Sequence, residues 1–207
     1  MNRYYVINYL PDGNGCPHLL SGDFTPDNWD FENVEAKPFE IEVRKKYSLK
    51  VTASEIKFLD FDYYDNEPRL VSNRFLEICN QLGVPFKAIP LQITLKKGGG
   101  AVDKYHSFHA GENLGMLDQQ QSIYTLECIV QNGEVMANHT FPSCPIYSKI
   151  EKFITREVKF PALFFCIEIM RLICDEEFYQ RATEAALKGM EFIAIDEAYA
   201  FDFWEGS

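Results

Sequence analysis

Two stretches of the chain decide its fold because they repeat one pattern of secondary structure. The first is RLVSNRFLEICNQLGVPFKAI, residues 69–89, and the second is RLICDEEFYQRATEAALKGMEFIAI, residues 171–195. Each begins with Arg-Leu and an aliphatic residue, continues with a capping residue, and ends in Gly-x-x-Phe-x-Ala-Ile. This order of features predicts a strand, a capped helix that stops at glycine, and a second strand.

The two helices are predicted from their caps and from the spacing of their apolar residues. Ser72 is the expected N-cap of a helix over residues 73–82, whose apolar residues fall on one face. Asp175 holds the same place in the second stretch, where the helix is expected to continue to Lys188. The second helix is therefore predicted to be about one turn longer than the first.

Alternating apolar residues and turn signals predict the strands. Strands are expected over residues 3–9, 39–43, 49–51, 56–61, 86–95, 164–173 and 190–195, with a hairpin over 122–137 around Asn132-Gly133. The many glycines and prolines of residues 11–38 predict an irregular segment, and Gly98 to Gly100 a flexible joint.

These elements predict an α+β fold class with mixed or antiparallel sheets and two related strand–helix–strand halves. We expect one compact protein over residues 1–207, which is a length that supports a real core. If the pattern reflects a duplication, the halves would be residues 1–102 and 103–207.

Charge and hydropathy exclude several classes of protein. Lys and Arg number 20 and Asp and Glu 31, giving a net charge of −11, whereas nucleic-acid binding needs clustered cations. The N-terminus lacks the features of a signal peptide, and no stretch of about 18 apolar residues predicts a membrane span. We therefore expect a cytoplasmic protein that binds neither nucleic acid nor membrane, and the acidic surface would suit a basic partner.

The segment KYHSFHAGENLGMLDQQQS, residues 104–122, holds the strongest candidate for chemistry. His106, His109 and Glu112 follow one another at intervals of three, so a metal-dependent hydrolase is one alternative function. Zinc-binding histidines on a helix usually stand four residues apart, and Gly111 and Gly115 disfavour a helix here. We expect no metal and no catalytic residue in this segment.

Cysteine chemistry is a second alternative. The six cysteines form no Cys-x-x-Cys pair and are predicted to be buried thiols, so no cofactor or structural metal is expected. Cys144 lies five residues after His139, but the flanking prolines predict an extended loop rather than an activated nucleophile. The chain also lacks a P-loop, a Gly-x-Ser-x-Gly elbow and a dinucleotide fingerprint.

The repeated stretches and the segment between them resemble a bacterial family, the immunity protein 11 family of polymorphic toxin systems. The resemblance spans about residues 56–197 and is degenerate. The matching features are Leu70-Val71-Ser72, Gly83 to Phe86, Tyr105, Leu117-Asp118, Ser122, and Gly189 to Phe192. The pattern does not include the histidines, which puts a catalytic role for them in doubt.

This resemblance implies a protein that binds and neutralises a cognate bacterial toxin domain by occlusion, without turnover. It implies no enzyme activity and no cofactor. From charge alone, a basic toxin such as a nuclease would suit the acidic surface. The alternatives are the hydrolase centred on His106, His109 and Glu112, or a scaffold module, and the oligomeric state stays unknown.

Two acidic stretches that also carry aromatic residues are the expected partner-binding residues, because aromatics provide binding energy and acids steer a basic partner. The tyrosines of the first stretch are expected to be exposed. The candidate residues are Asp60, Asp62, Tyr63, Tyr64, Asp65 and Glu67 in the first stretch, and Asp196, Glu197, Asp202, Trp204 and Glu205 in the second.

Overall fold

The computed structural model describes residues 3–27, 38–40, 42–66, 68–96 and 102–204. This part of the chain folds into three sheets and two helices, with a short 3-10 turn at Pro38–Glu40. The α+β prediction is confirmed, and most neighbouring strands are antiparallel. Neither helix has the length and apolar character needed to cross a membrane.

The strands belong to three sheets. The first has six strands in the order β2 (Gly22–Thr25), β3 (Tyr47–Val51), β6 (Phe86–Thr94), β7 (Val102–Ala110), β5 (Leu70–Ser72) and β4 (Tyr63–Tyr64). The second has five strands in the order β13 (Met190–Ala194), β1 (Tyr4–Tyr9), β12 (Arg171–Asp175), β11 (Leu163–Cys166) and β8 (Asn113–Leu114). The third consists of β14 (Phe201–Asp202), β10 (Tyr147–Lys152) and β9 (Ile123–Leu126).

Both repeated stretches form the same supersecondary unit. Strand β5 leads into helix α1 (Asn73–Gln81) and then β6, while β12 leads into helix α2 (Glu176–Glu184) and then β13. In each unit one antiparallel strand, β7 or β1, lies between the two strands that the helix joins. The joined strands therefore run parallel, as in a split strand–helix–strand unit. A common origin of the two halves stays a prediction.

The helix caps form as their residue types require. The side chains of Ser72 and Asp175 accept a hydrogen bond from the backbone N–H of Phe75 and Phe178, three residues further on. The rings of these two phenylalanines meet edge to face, with centroids 5.4 Å apart, and both are fully buried. The matching anchors of the two units therefore pack against each other and join the helices.

The apolar side chains form two clusters. The larger lies among the two helices, the five-stranded sheet and the three-stranded sheet, and includes Ile150, Phe164 and Ile173. The smaller covers the other face of the six-stranded sheet, where Leu49 and Leu91 pack under the irregular segments that precede β2 and β4. The described residues of the predicted irregular segment thus help to cover one face of this sheet.

Several expected elements are corrected by the structure. Helix α2 ends at Glu184 and is no longer than α1, because the chain turns at Ala186 with a φ of 48°. Residues 164–173 are not one strand: they contain a hairpin of β11 and β12, turned through Met170 at a φ of 54°. A continuous apolar run cannot reveal such a turn, since both arms are buried.

Other expectations are met in part. The described residues of 39–43 and those of 56–61 form no strand, while Phe58 is exposed and Phe61 is fully buried. The turn at Asn132-Gly133 forms, and Gly133 has a φ of 72°, but only isolated bridges flank it. Gly98 to Gly100 lie outside the described residues.

Each of the two large sheets combines strands from both sides of the expected division between residues 102 and 103. Strand β1, from the N-terminus, lies in the middle of the sheet built mostly from the C-terminal half. Strand β7, which begins the second half, lies in the middle of the other large sheet. Each half of the sequence therefore supplies a central strand to the sheet of the other half.

Candidate functional site

The two histidines of residues 104–122 lie on strand β7, and their side chains point to opposite faces of its sheet, because successive strand residues alternate. His109 Nε2 lies 3.1 Å from Ser107 Oγ, on the same face. Burial lowers the pKa of His109 to about 4, with a smaller contribution from the nearby Arg69 cation. Burial also lowers the pKa of His106. Both imidazoles are therefore neutral near pH 7.

The hydrolase alternative finds no support in this geometry. Glu112 follows the end of β7, and its backbone carbonyl accepts a hydrogen bond from Phe165. Within the part of the chain that the structure describes, no three His, Cys, Asp or Glu side chains are grouped so that they could hold a metal ion. Side chains on a strand alternate with a period of two residues, so the spacing of three between His106 and His109 places the rings on opposite faces.

Cys144 is not placed as a nucleophile. Its thiol is buried, and burial together with the nearby Glu168 carboxylate raises its pKa to about 11. A thiolate nucleophile needs the opposite shift, which a neighbouring cation or helix N-terminus would give. The sulfur instead lies 3.8 Å from the carbonyl oxygen of Ile167, in the core.

The first acidic stretch is built into the fold. Asp62 is buried and accepts hydrogen bonds from Ser72 Oγ (2.5 Å), Arg74 Nη1 (3.0 Å) and the backbone N–H of Lys188 (2.8 Å). The backbone N–H of Asp62 in turn donates to the carbonyl of Lys188. One carboxylate therefore fastens the cap of α1 to the start of β13.

The neighbouring acids also have partners inside the molecule. Asp60 forms ion pairs with Lys188 and with Lys104, and the hydrogen bond from Lys188 lowers its pKa. Asp65 pairs with Arg69 at 2.9 Å, with both side chains largely buried, and the Arg69 guanidinium lies over the ring of Phe165. These carboxylates join parts of the protein, which the sequence could not distinguish from a solvated acidic patch.

The expectation that the tyrosines of this stretch are exposed is wrong. Tyr63 is fully buried, and Tyr64 is 3% exposed, with its hydroxyl accepting a hydrogen bond from the backbone N–H of Leu20. Their strand, β4, closes one edge of the six-stranded sheet. Neither ring is available for contact with a partner in this conformation, and Glu67 lies outside the described residues.

The second acidic stretch lies at the surface. Asp196 and Glu197 are exposed, and Asp196 forms a turn by accepting from the backbone N–H of Ala198. Asp202 is half-buried in β14 and accepts from the backbone N–H of Trp204, whose side chain is 68% exposed. Glu205 lies outside the described residues. Of the predicted contact residues that the structure describes, the exposed ones are Asp196, Glu197 and Trp204.

Sequence reasoning missed a further exposed feature. Strand β13 lies at the edge of its sheet, and Ile193 on it is 37% exposed, next to the exposed Glu191 and Ala194. The pattern of these residues predicts a strand but does not say whether it is central or at an edge. Whether a strand is central or at an edge depends on which other strands of the fold pair with it.

Comparison with known proteins shows which family the chain belongs to. Residues 25–203 match the family described as Immunity protein 43. The chain belongs to this family. The resemblance seen in the sequence is thus confirmed for an immunity-protein family of toxin systems, but the matching family is immunity protein 43 and not immunity protein 11. No curated protein matches the chain.

Membership of an immunity-protein family supports an immunity function against toxins. Near pH 7 the imidazoles of His106 and His109 are neutral and the thiol of Cys144 is protonated.

Proposed function

We propose that this immunity protein binds a cognate toxin domain stoichiometrically and neutralises it by occluding its active site, without turnover. The match to the immunity protein 43 family over residues 25–203 carries the proposal. The separation of His106 from His109 and the raised pKa of Cys144 support a role without catalysis.

The contact surface proposed here is the C-terminal acidic surface, made of Asp196, Glu197, Asp202 and Trp204. Trp204 offers a large exposed ring beside Phe203, whose centroid lies 5.1 Å away. Aromatic side chains supply much of the binding energy of protein interfaces, while the acids around them give orientation and steering. In the first acidic stretch, by contrast, Asp62 and its neighbours act in folding.

The net charge supports a basic toxin, such as a nuclease. The chain carries 31 acidic against 20 basic residues, and several basic side chains are engaged in internal ion pairs. A surface with unpaired acids attracts a cationic partner over about a Debye length. A toxin of this kind acts in the cytoplasm, which is where we propose that the immunity protein works.

Co-expression tests this function directly. The toxin domain encoded upstream of the gene is induced in cells that carry the immunity protein, and survival is scored. Wild-type protein is expected to restore growth and to bind the domain at a fixed stoichiometry in isothermal titration calorimetry. The function fails if cells die although both proteins are produced, or if protection occurs without binding.

Two double variants that change the net charge by the same amount test the proposed surface. Asp196→Lys with Glu197→Lys is expected to weaken binding at least tenfold, the amount that about 1.4 kcal/mol produces. Asp23→Lys with Glu55→Lys is the matched control, because these acids are also exposed but lie elsewhere in the sequence. Equal losses in both double variants would show that only the overall charge matters. Trp204→Ala probes the aromatic contact in the same assay.

A further inference from the structure

Among the residues that the structure describes, no strand pairs with the outer edge of β13. The five-stranded sheet ends at β13, which pairs with β1 and with no other strand in the described chain. An open edge presents backbone N–H and C=O groups that can pair with another strand, so soluble proteins usually cover or charge it.

The ladder shows which backbone groups face outward. Ile195 N–H donates to Tyr4 O, and Leu10 N–H donates to Gly189 O, so the odd-numbered residues of β13 bond toward β1. The backbone groups of Met190, Phe192 and Ala194 therefore point to the open edge. Lys188 confirms this direction, because its carbonyl accepts from the backbone N–H of Asp62 on that outer side.

Exposed acidic residues lie on β13 and in the adjoining sequence. Glu184 precedes β13, Glu191 lies on it, and Asp196 and Glu197 follow it, all of them exposed. Lys188 is the basic residue in this part of the chain, and its ammonium group is bound to Asp60. The edge therefore combines unpaired backbone groups with a local excess of negative charge.

We infer that the outer edge of β13 accepts an extended, basic segment of the toxin as an added strand. This inference rests on the proposed function and names the mode of binding. Main-chain hydrogen bonds to Met190, Phe192 and Ala194 give affinity, and the exposed side chain of Ile193 offers an apolar contact. Lys or Arg residues of the segment meet Glu191, Asp196 and Glu197.

A second copy of the chain is a poorer occupant of the same edge. Each copy carries a net charge of −11, and the acids around β13 would approach their counterparts in the other copy. Charged side chains near an edge strand are a known means of preventing such self-pairing. Light scattering of the purified protein is therefore expected to give a monomer, and a dimer broken by the variant below would overturn the inference.

Ala194→Pro tests the added strand. Proline removes the outward N–H of residue 194 and fills the edge with its ring, while the ladder bonds of residues 193 and 195 to β1 remain. We expect it to weaken binding to the upstream-encoded toxin domain about tenfold or more. Ala194→Ser, which keeps the N–H, is the matched control and is expected to bind like the wild type.

Amide hydrogen exchange provides a readout that a loss of folding would not imitate. In the free protein, the amides of Met190, Phe192 and Ala194 should exchange faster than those of Glu191 and Ile193, and they should become protected in the complex. Protection of the outward amides already in the free protein, or their continued exchange in the complex, would overturn the inference.

The two proposals fail in distinguishable ways. If wild-type protein does not bind the toxin domain, the proposed function fails. If wild type and Ala194→Pro bind equally well and the proline variant keeps its melting temperature, only the strand addition fails. If the proline variant unfolds, the amide exchange pattern of the wild type, free and in the complex, still tests the strand addition.

Discussion

Asp62 illustrates how one buried residue can look like a surface acid in the sequence. It stands in the run DFDYYDNE, yet its carboxylate accepts three hydrogen bonds and is almost inaccessible to solvent. A buried carboxylate is tolerated only where donors replace the water it loses. The donors come from residues 72, 74 and 188, which only the fold brings together.

We predict that Asp62→Ala lowers the free energy of unfolding by about 3 kcal/mol, because the buried donors lose their shared acceptor. Urea denaturation followed by circular dichroism measures this loss. Asp23→Ala is the control, since Asp23 is exposed and its removal should change stability by less than about 0.5 kcal/mol. Equal stability of the two variants would contradict the role assigned to Asp62.

His109 is predicted to make stability depend on pH. Its pKa falls from 6.5 to about 4 on folding, so between these values the unfolded chain binds a proton that the folded protein does not. Stability is therefore complete above about pH 6.5 and decreases as the pH falls toward 4, by up to about 3 kcal/mol.

Thermal melts from pH 4.5 to 7.5 measure this effect. His109→Gln removes the titrating group, so its melting temperature should fall less steeply with decreasing pH than that of the wild type. The Asp and Glu residues remain in both proteins and cancel in the comparison. Parallel curves would show that His109 does not carry the dependence.

At the scale of elements, the helix caps follow from local chemistry. Asp175 has the raised pKa of a partly buried carboxyl, yet its side chain still accepts from the backbone N–H of Phe178. We predict that Asp175→Ala lowers the free energy of unfolding by about 1 kcal/mol, whereas Asp175→Ser, which keeps an acceptor, costs less. Chemical denaturation of both variants measures the difference, and a serine variant as unstable as the alanine variant would contradict the capping role.

Elements whose ends depend on tertiary contacts were predicted less well. The chain leaves α2 at Ala185, where the backbone carbonyl accepts from the Arg74 side chain of the other unit. The helix of nine residues was expected to run to Lys188, because nothing in its own sequence shows this partner. Likewise, the hairpin between β11 and β12 turns at residues that look like one buried strand.

At the scale of the whole molecule, two glycines in matching positions of the repeated units differ in their surroundings. Comparing them distinguishes the cost of backbone strain from the cost of crowding between the sheets. Gly83 and Gly189 both have a positive φ, of 64° and 75°. A Cβ at Gly83 would meet nothing within 4 Å, whereas one at Gly189 would lie 2.7 Å from the backbone oxygen of Tyr63, where the two large sheets meet.

We predict that Gly83→Ala costs about 1 kcal/mol of unfolding free energy, from backbone strain alone. Gly189→Ala should cost clearly more, because the backbone of Tyr63 must also move. Urea denaturation of the two variants gives the comparison directly. Equal losses would mean that the junction at Tyr63 yields without cost.

The charge of the whole molecule predicts the kinetics of toxin binding. If the toxin is basic, as proposed, the association rate should fall at least tenfold between about 50 and 500 mM salt, because screening removes long-range attraction. Stopped-flow measurements test this, with the dissociation rate as an internal control that should change less. A rate independent of salt would contradict a basic toxin.

The sequence by itself determined the α+β class, the two capped helices, the glycine stops and the strands that follow them, because caps, turns and apolar periods are local features. It also indicated an immunity protein, although of the wrong family. The tertiary structure decided which acids are internal, which faces the histidines occupy, and which strand is an open edge. Burial and pairing depend on residues distant in the chain, so no local pattern contains them.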